Sequence, residues 1–234
     1  MKILSVDTST PRLSVALWHK GSVLALSERI PEKRHAEAIL PDMEKVLKKL
    51  SLSPKDLGGL AVGLGPGSFT GLRVGIATVQ GMAQALKLPV AGVSSFWAAA
   101  AGTGADRVLV LEDARQEMYY AAMYERQTGG YSARLEESLL SWEDLLARLP
   151  SGACSVAGPA AELLHPRLAE AKPGTVFDLV PAPRRLPSAV DVAALAFPVL
   201  ATGGTAPEEL IPLYLRRTQA EEMKSKQKAA KASS

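Results

Sequence analysis

The sequence predicts an α/β protein of two tandem βββαβα-type halves, the second degenerate. Three observations carry this. An apolar run ending in an acid occurs twice, as Ile3-Leu4-Ser5-Val6-Asp7 and as Val108-Leu109-Val110-Leu111-Glu112-Asp113. After each, a short polar turn leads into a second strand-like run. In the first half a Gly-rich loop, residues 63–75, then joins an apolar strand to a long helical pattern.

Residues 3–6 and 13–18 are apolar runs, and 23–26 follows Lys20-Gly21, a hairpin turn. A helical stripe of Ala36, Leu40, Met43, Leu47 and Leu50 comes next, with Pro41 either kinking the helix or ending its first turn early. Ser53-Pro54 reads as an N-cap with proline at the first helical position. A strand at 60–62, the Gly loop, a helix with Leu72, Ile76, Val79, Ala83 and Leu86 on one stripe, and a strand near Val90 complete the first half. The second half offers strands at 108–113 and 118–124 and helices at 141–149 and 188–202. Ser141 with Asp144 and Ser188 with Asp191 suit capping boxes, and Pro198 should kink the last helix. Domain boundaries are therefore expected at 1–103 and 104–220, followed by a Lys-rich tail, 221–234, with no apolar periodicity. Antiparallel strands, helix, strand and helix, duplicated, is the architecture of the actin-like ATPase (ASKHA) fold.

The chain has 234 residues, enough to bury a sizeable core, and its 47% hydrophobic and 22% charged content is ordinary for a globular protein. Of the net charge of +3, the four lysines and two glutamates of 221–234 supply +2, so the body is too balanced to suggest a broad nucleic-acid surface. Cys154 is the single cysteine and sits in a buried-strand pattern, which rules out an internal disulfide and points to a reducing compartment. No run of eighteen apolar residues or basic leader occurs, so the cytoplasm and no membrane contact are expected.

The loop Gly63-Leu64-Gly65-Pro66-Gly67-Ser68-Phe69-Thr70-Gly71-Leu72-Arg73-Val74-Gly75 sits where backbone N–H groups and a helix dipole favour an anion. It is neither a Walker A loop, lacking the Gly-Lys pair, nor a G-x-G-x-x-G turn, since Ser68 and Thr70 stand where the third glycine belongs. It closely resembles the signature of the bacterial TsaB family of tRNA threonylcarbamoyladenosine biosynthesis proteins. Asp7-Thr8-Ser9-Thr10, Arg34-His35 with Ile39-Leu40-Pro41, and Pro212-Leu213-Tyr214-Leu215-Arg216 extend that resemblance over nearly the whole chain.

The resemblance implies an actin-like fold and a subunit that pairs with a TsaD-like transferase and a TsaE-like ATPase, forms a homodimer when alone, and reaches tRNA only indirectly. In such folds, Gly-containing turns after the first strand of each half hold phosphate and Mg²⁺. Here Ser9 replaces the first glycine, Asp113-Ala114-Arg115 has none, and the expected adenosine loop Ala157-Gly158-Pro159 has one. No resident cofactor is therefore expected beyond weak ATP or ADP binding, and no catalytic residue is assigned. Candidate nucleotide or anion contacts are Asp7, Thr8, Gly65, Gly67, Ser68, Thr70 and Arg73. Asp7 either ligates a metal through waters or caps its own turn. Arg73, unfavourable in a first helical turn, meets either a phosphate or a salt bridge to Asp7 or Asp113. Where TsaD has His-x-x-x-His, Val93-Ser94-Ser95-Phe96-Trp97-Ala98-Ala99 places Ser95 and Ala99, so no metal site is expected. The resemblance puts the subunit interface on the two helices of the first half, at His35, Leu40, Met43, Val74, Thr78, Gly81 and Ala85. Gly81 suggests a close approach by another element, within the protomer the helix of residues 36–50. The competing function is an actin-like ATPase or small-molecule kinase.

Overall fold

The computed structural model describes residues 1–32 and 34–215; the tail and Arg216 lie outside them. In the first sheet β1 (Lys2–Asp7) pairs antiparallel with β2 (Leu13–His19), which pairs with β3 (Ser22–Arg29). On its other side β1 lies parallel to β4 (Gly59–Gly63), and β4 to β5 (Val90–Val93), giving the order β3-β2-β1-β4-β5. The second sheet repeats this order with β6 (Arg107–Asp113), β7 (Met118–Gln127), β8 (Gly130–Ser141), β9 (Cys154–Ala157) and β10 (Phe177–Leu179), as β10-β9-β6-β7-β8. Each central strand thus starts an antiparallel pair on one side and receives a parallel crossover on the other. This is the actin-like arrangement in two tandem halves. The second copy is degenerate, with a three-residue last strand.

Helices α1 (His35–Lys48) and α2 (Phe69–Leu86) cover one face of the first sheet. Ile39, Met43, Val46, Leu47, Ile76, Val79 and Ala83 pack there on Leu4, Val6, Val15, Leu17, Leu60 and Val62. The buried stripe of α1 differs from the expected one: Leu40 is 55% exposed and Ala36 and Leu50 are exposed, while Ala38, Ile39, Asp42 and Val46 are buried. Asp42 explains the error. It is buried because Arg29 grips its carboxylate through Nε (2.9 Å) and Nη2 (3.0 Å), so a polar residue occupies a core-facing position. Ser53 caps only a single 3-10 turn, Pro54–Asp56.

The chain crosses to the second half through α3 (Ser95–Thr103), and the second sheet carries α4 (Trp142–Arg148) and α5 (Ala161–Ala171). After the four-residue α6 (Ala182–Arg185), α7 (Ala189–Ala201) returns to the first half. Val192, Ala193, Ala196 and Leu200 lie on Ile3, Ala61, Ala91 and Val93. The 104–220 stretch therefore gives its last helix to the opposite sheet. β1 and β4 are continuous apolar runs because both faces are buried, one by α1 and α2 and the other by α7. Arg12 locks this return: Nη2 donates to the carbonyls of Leu186 (2.8 Å) and Pro187 (3.0 Å), and Nη1 meets Glu28 at 3.2 Å. Ser188 caps α7 through Val190 N rather than by a box with Asp191. Among the described residues no helix is long and apolar enough to cross a membrane.

Candidate functional site

The turn after β1 is wholly buried, from Asp7 to Thr10. Asp7 Oδ1 accepts hydrogen bonds from Ser9 N (2.9 Å) and Ser9 Oγ (2.6 Å), and Oδ2 accepts one from Ser95 Oγ (2.7 Å). These bonds are those of a turn cap: the Asp7 carboxylate caps its own turn, and burial pushes its pKa up despite the three donors. Ser95, at the first position of the missing histidine pair, also accepts from Gly65 N (3.1 Å), while its own N–H donates to Gly65 O (2.8 Å). Ala99 is buried in α3.

Opposite this turn sits the Gly-rich loop, and its glycines are occupied by protein. A Cβ on Gly63 would strike the Asp7 carboxylate, one on Gly67 the Ser9 carbonyl, one on Gly71 the Thr8 carbonyl, and one on Gly75 the Thr8 hydroxyl. Ser68 N donates to Ser9 O (2.7 Å), and Thr8 Oγ1 to Gly71 O (2.8 Å). Ser68 Oγ caps α2 by accepting from Gly71 N (3.2 Å). Of the expected anion contacts, Asp7, Thr8 and Gly65 are buried, and Asp7 and Thr8 spend their polar side-chain atoms on the chain itself, whereas Ser68, Thr70 and Arg73 stay exposed. The close approach that glycine permits is thus used by backbone and side-chain atoms of the same chain.

The other two loops follow suit. In the β6–β7 turn Asp113 Oδ1 accepts from Arg115 N (2.7 Å), with Arg115, Gln116 and Glu117 all left-handed. A Cβ on Gly158 would meet the Leu111 backbone, so that glycine too seats protein on protein. Arg73 makes neither expected salt bridge. Its helical phase turns it outward, where its guanidinium lies 3.9 Å over the Phe69 ring and Nε donates to Tyr214 Oη (2.8 Å). Cys154 is a buried residue of β9, its thiol pushed by burial to about 11.

The helix surface sorts the interface candidates. Leu40, Gly81 and Ala85 are exposed, and His35, Val74 and Thr78 half-buried. Met43 is only 2% exposed and belongs to the core under α1, so it is removed from this face. No atom lies within 4 Å of a Cβ built on Gly81, so α1 does not approach it and the position opens to solvent. A cavity of about 550 Å³ between the starts of α1 and α2 is lined by Arg34, His35, Ser68, Thr70 and Val74, among others. His35 Nε2 is buried with no hydrogen-bond partner among the described residues.

Sequence reasoning missed Glu112. Among the described residues its Oε2 is buried without a partner, and burial, then the nearby Asp7 and Asp113, push the carboxyl up to about 7. Only its place beside the strand-ending Asp113 hinted at this, since the register facing the second carboxylate across the halves is tertiary.

A family model described as tRNA N6-adenosine threonylcarbamoyltransferase (TsaD) matches residues 28–173. The Escherichia coli K12 tRNA threonylcarbamoyladenosine biosynthesis protein TsaB is 38% identical over 228 residues, covering 94% of this chain and 96% of that protein. The structure of YeaZ from Pseudomonas aeruginosa superposes with a TM-score of 0.79 at 32% identity, covering 92% of this chain and 99% of that one. Component A of the Acidaminococcus fermentans (R)-2-hydroxyglutaryl-CoA dehydratase reaches 0.50 at 10% identity, a likeness of fold alone.

Proposed function

From the premise that the chain belongs to the TsaB family and has a role in tRNA threonylcarbamoyladenosine biosynthesis, we propose that it is a non-catalytic partner subunit of the threonylcarbamoyl-transfer machinery. It holds a TsaD-type transferase through the exposed face of α1 and α2, works with a TsaE-type ATPase, and pairs with itself when alone, in the cytoplasm. One observation carries this reading: the turn that would cradle phosphate in an active relative is filled by Asp7, Ser9 and Ser95 bonding to one another, with the loop glycines packed on that turn. With that space closed, nucleotide binding is weak and the acyl transfer belongs to the partner.

On the helix face, Leu40, Val74, Thr78, Gly81 and Ala85 offer a shallow surface of small and apolar side chains. Helices approach closely where side chains are small, so one long charged residue there keeps a partner helix off. The test is titration of the purified TsaD-type subunit into the chain and into Gly81→Arg. Tight binding to the wild type, and none to a variant with normal circular dichroism, supports the reading. A folded variant that still binds moves the interface elsewhere, and a wild type that does not bind removes the partner role.

A further inference from the structure

The cavity between the starts of α1 and α2 carries side-chain donors that the described residues leave unused. Among those residues Arg34 makes no ion pair or side-chain hydrogen bond, and the Thr70 hydroxyl has no partner. Ser68 Oγ accepts from Gly71 N and keeps its own proton to give. His35 lines the same space, and its Nε2 is buried with no hydrogen-bond partner among the described residues. Such an unpaired nitrogen destabilises the free chain, and a group that pairs it recovers that cost on binding. His35 as a whole is half-buried rather than sealed, so a side chain entering the cavity reaches its ring. No Asp or Glu lines the cavity, and α2 contains none.

Unused donors without a neighbouring acid call for a group that accepts hydrogen bonds and carries negative charge. How much charge is set by the cations present. Arg34 is the one permanent cation among the described lining residues, which balances a carboxylate and leaves a dianionic phosphate in surplus. Its guanidinium fork also matches the two oxygens of a carboxylate. The source of that group follows from the place of the cavity. Val74 both lines it and belongs to the α1–α2 face assigned to the partner, so cavity and face are continuous. We propose that the TsaD-type subunit docks by inserting one Asp or Glu side chain into this cavity, where Arg34, His35 and Thr70 hold its carboxylate. The small and apolar helix face beyond then packs around that anchor. The proposal rests on the partner reading above and says which chemistry fixes the partner in place.

The test titrates the purified TsaD-type subunit by calorimetry into the full-length chain and its variants. Arg34→Gln weakens binding about thirtyfold, and Arg34→Lys, which keeps the charge but not the fork, weakens it much less. His35→Leu weakens binding about tenfold while the Tm of the chain alone holds or rises, because an unpaired buried nitrogen is gone. A histidine serving only the fold would lower Tm instead. Occupancy is read directly with Arg34→Lys and a water-soluble carbodiimide, which joins an amine to a carboxylate in contact with it as an amide. Mass spectrometry then finds the introduced lysine coupled to an Asp or Glu of the TsaD-type subunit.

Unchanged affinity in both Arg34→Gln and His35→Leu overturns the proposal, as does coupling of the introduced lysine only to a second copy of this chain, or to nothing. Inorganic phosphate binding to the chain alone with a Kd below about 1 mM would assign the cavity to a free anion and overturn it too. A wild type that does not bind the TsaD-type subunit removes the partner reading and this anchor together. Binding that survives Arg34→Gln and His35→Leu but not Gly81→Arg removes the anchor alone.

Discussion

Glu112→Gln isolates the cost of a carboxyl held between the two halves. Burial, then Asp7 and Asp113, carries the Glu112 carboxyl from 4.5 to about 7, which is about 3 kcal/mol at 1.36 kcal/mol per pKa unit. The folded protein holds this proton more tightly than the unfolded chain. The contribution of Glu112 to stability is therefore fully present below pH 4.5, falls by about 1.4 kcal/mol per pH unit up to pH 7, and levels off above it. Glutamine cannot ionise, so the variant lacks that fall. Asp7 and Asp191 also have raised pKa values, Asp191 to about 6 through burial and then Glu28. Their slopes are common to both proteins and largely cancel in the difference. Urea unfolding of both, from pH 4.5 to 7.5, should show the variant gaining about 3 kcal/mol on the wild type across that range. The gain should hold whatever offset the buried amide introduces. Two parallel pH curves would refute the placement of Glu112 as a desolvated acid facing Asp7.

Gly71→Ala forces a methyl into the Thr8 carbonyl within a buried turn, so about 3 kcal/mol of overpacking should lower Tm by about 6 to 12 °C in differential scanning calorimetry; an unchanged Tm would mean the loop does not seat the turn. Arg12→Met takes the cation away from Glu28, which keeps only the Ser14 and Ser188 hydroxyls, and frees the carbonyls of Leu186 and Pro187. The expected loss is about 3 to 5 kcal/mol in urea unfolding, and a loss under 1 kcal/mol would show that α7 is held by its apolar face alone. Calorimetric titration with ATP and Mg²⁺ should give a Kd weaker than about 10 μM, equivalent to about −6.8 kcal/mol, with no turnover by the chain alone. Tighter binding together with steady hydrolysis would favour the ATPase reading.

Much of the first half was legible because its strands are apolar runs buried on both faces and its turns carry their own signals, such as the left-handed Lys20-Gly21 between β2 and β3. The repeated strand ending in an acid foretold the duplication that the matching strand orders bear out. The stripe of α1 was misjudged because Asp42 is a buried polar residue made tolerable by Arg29, a partner on strand β3. Strand β8 was missed because it is an edge strand whose alternating residues are only half-buried, leaving little hydrophobic contrast. The return of α7 could not be read, since an alanine-rich helix packs equally well on either sheet.

At the site, sequence located the Gly loop and the helix face but could not say what the glycines approach. A ligand phosphate and the chain's own Thr8 and Ser9 carbonyls make the same demand, the absence of a Cβ. Arg73 pairs with Tyr214 across 141 positions, a separation at which no local pattern speaks.

The central claim, that this chain supports transfer without performing it, is tested most directly by reconstitution. Threonylcarbamoyladenosine formation on an unmodified ANN-decoding tRNA transcript is measured, with threonylcarbamoyl-adenylate supplied, for this chain alone, for the TsaD-type subunit with the TsaE-type ATPase, and for all three together. The account predicts no product from this chain at any concentration and a strong rise in product when it joins the other two. Product from this chain alone, or a transferase indifferent to its presence, would contradict it.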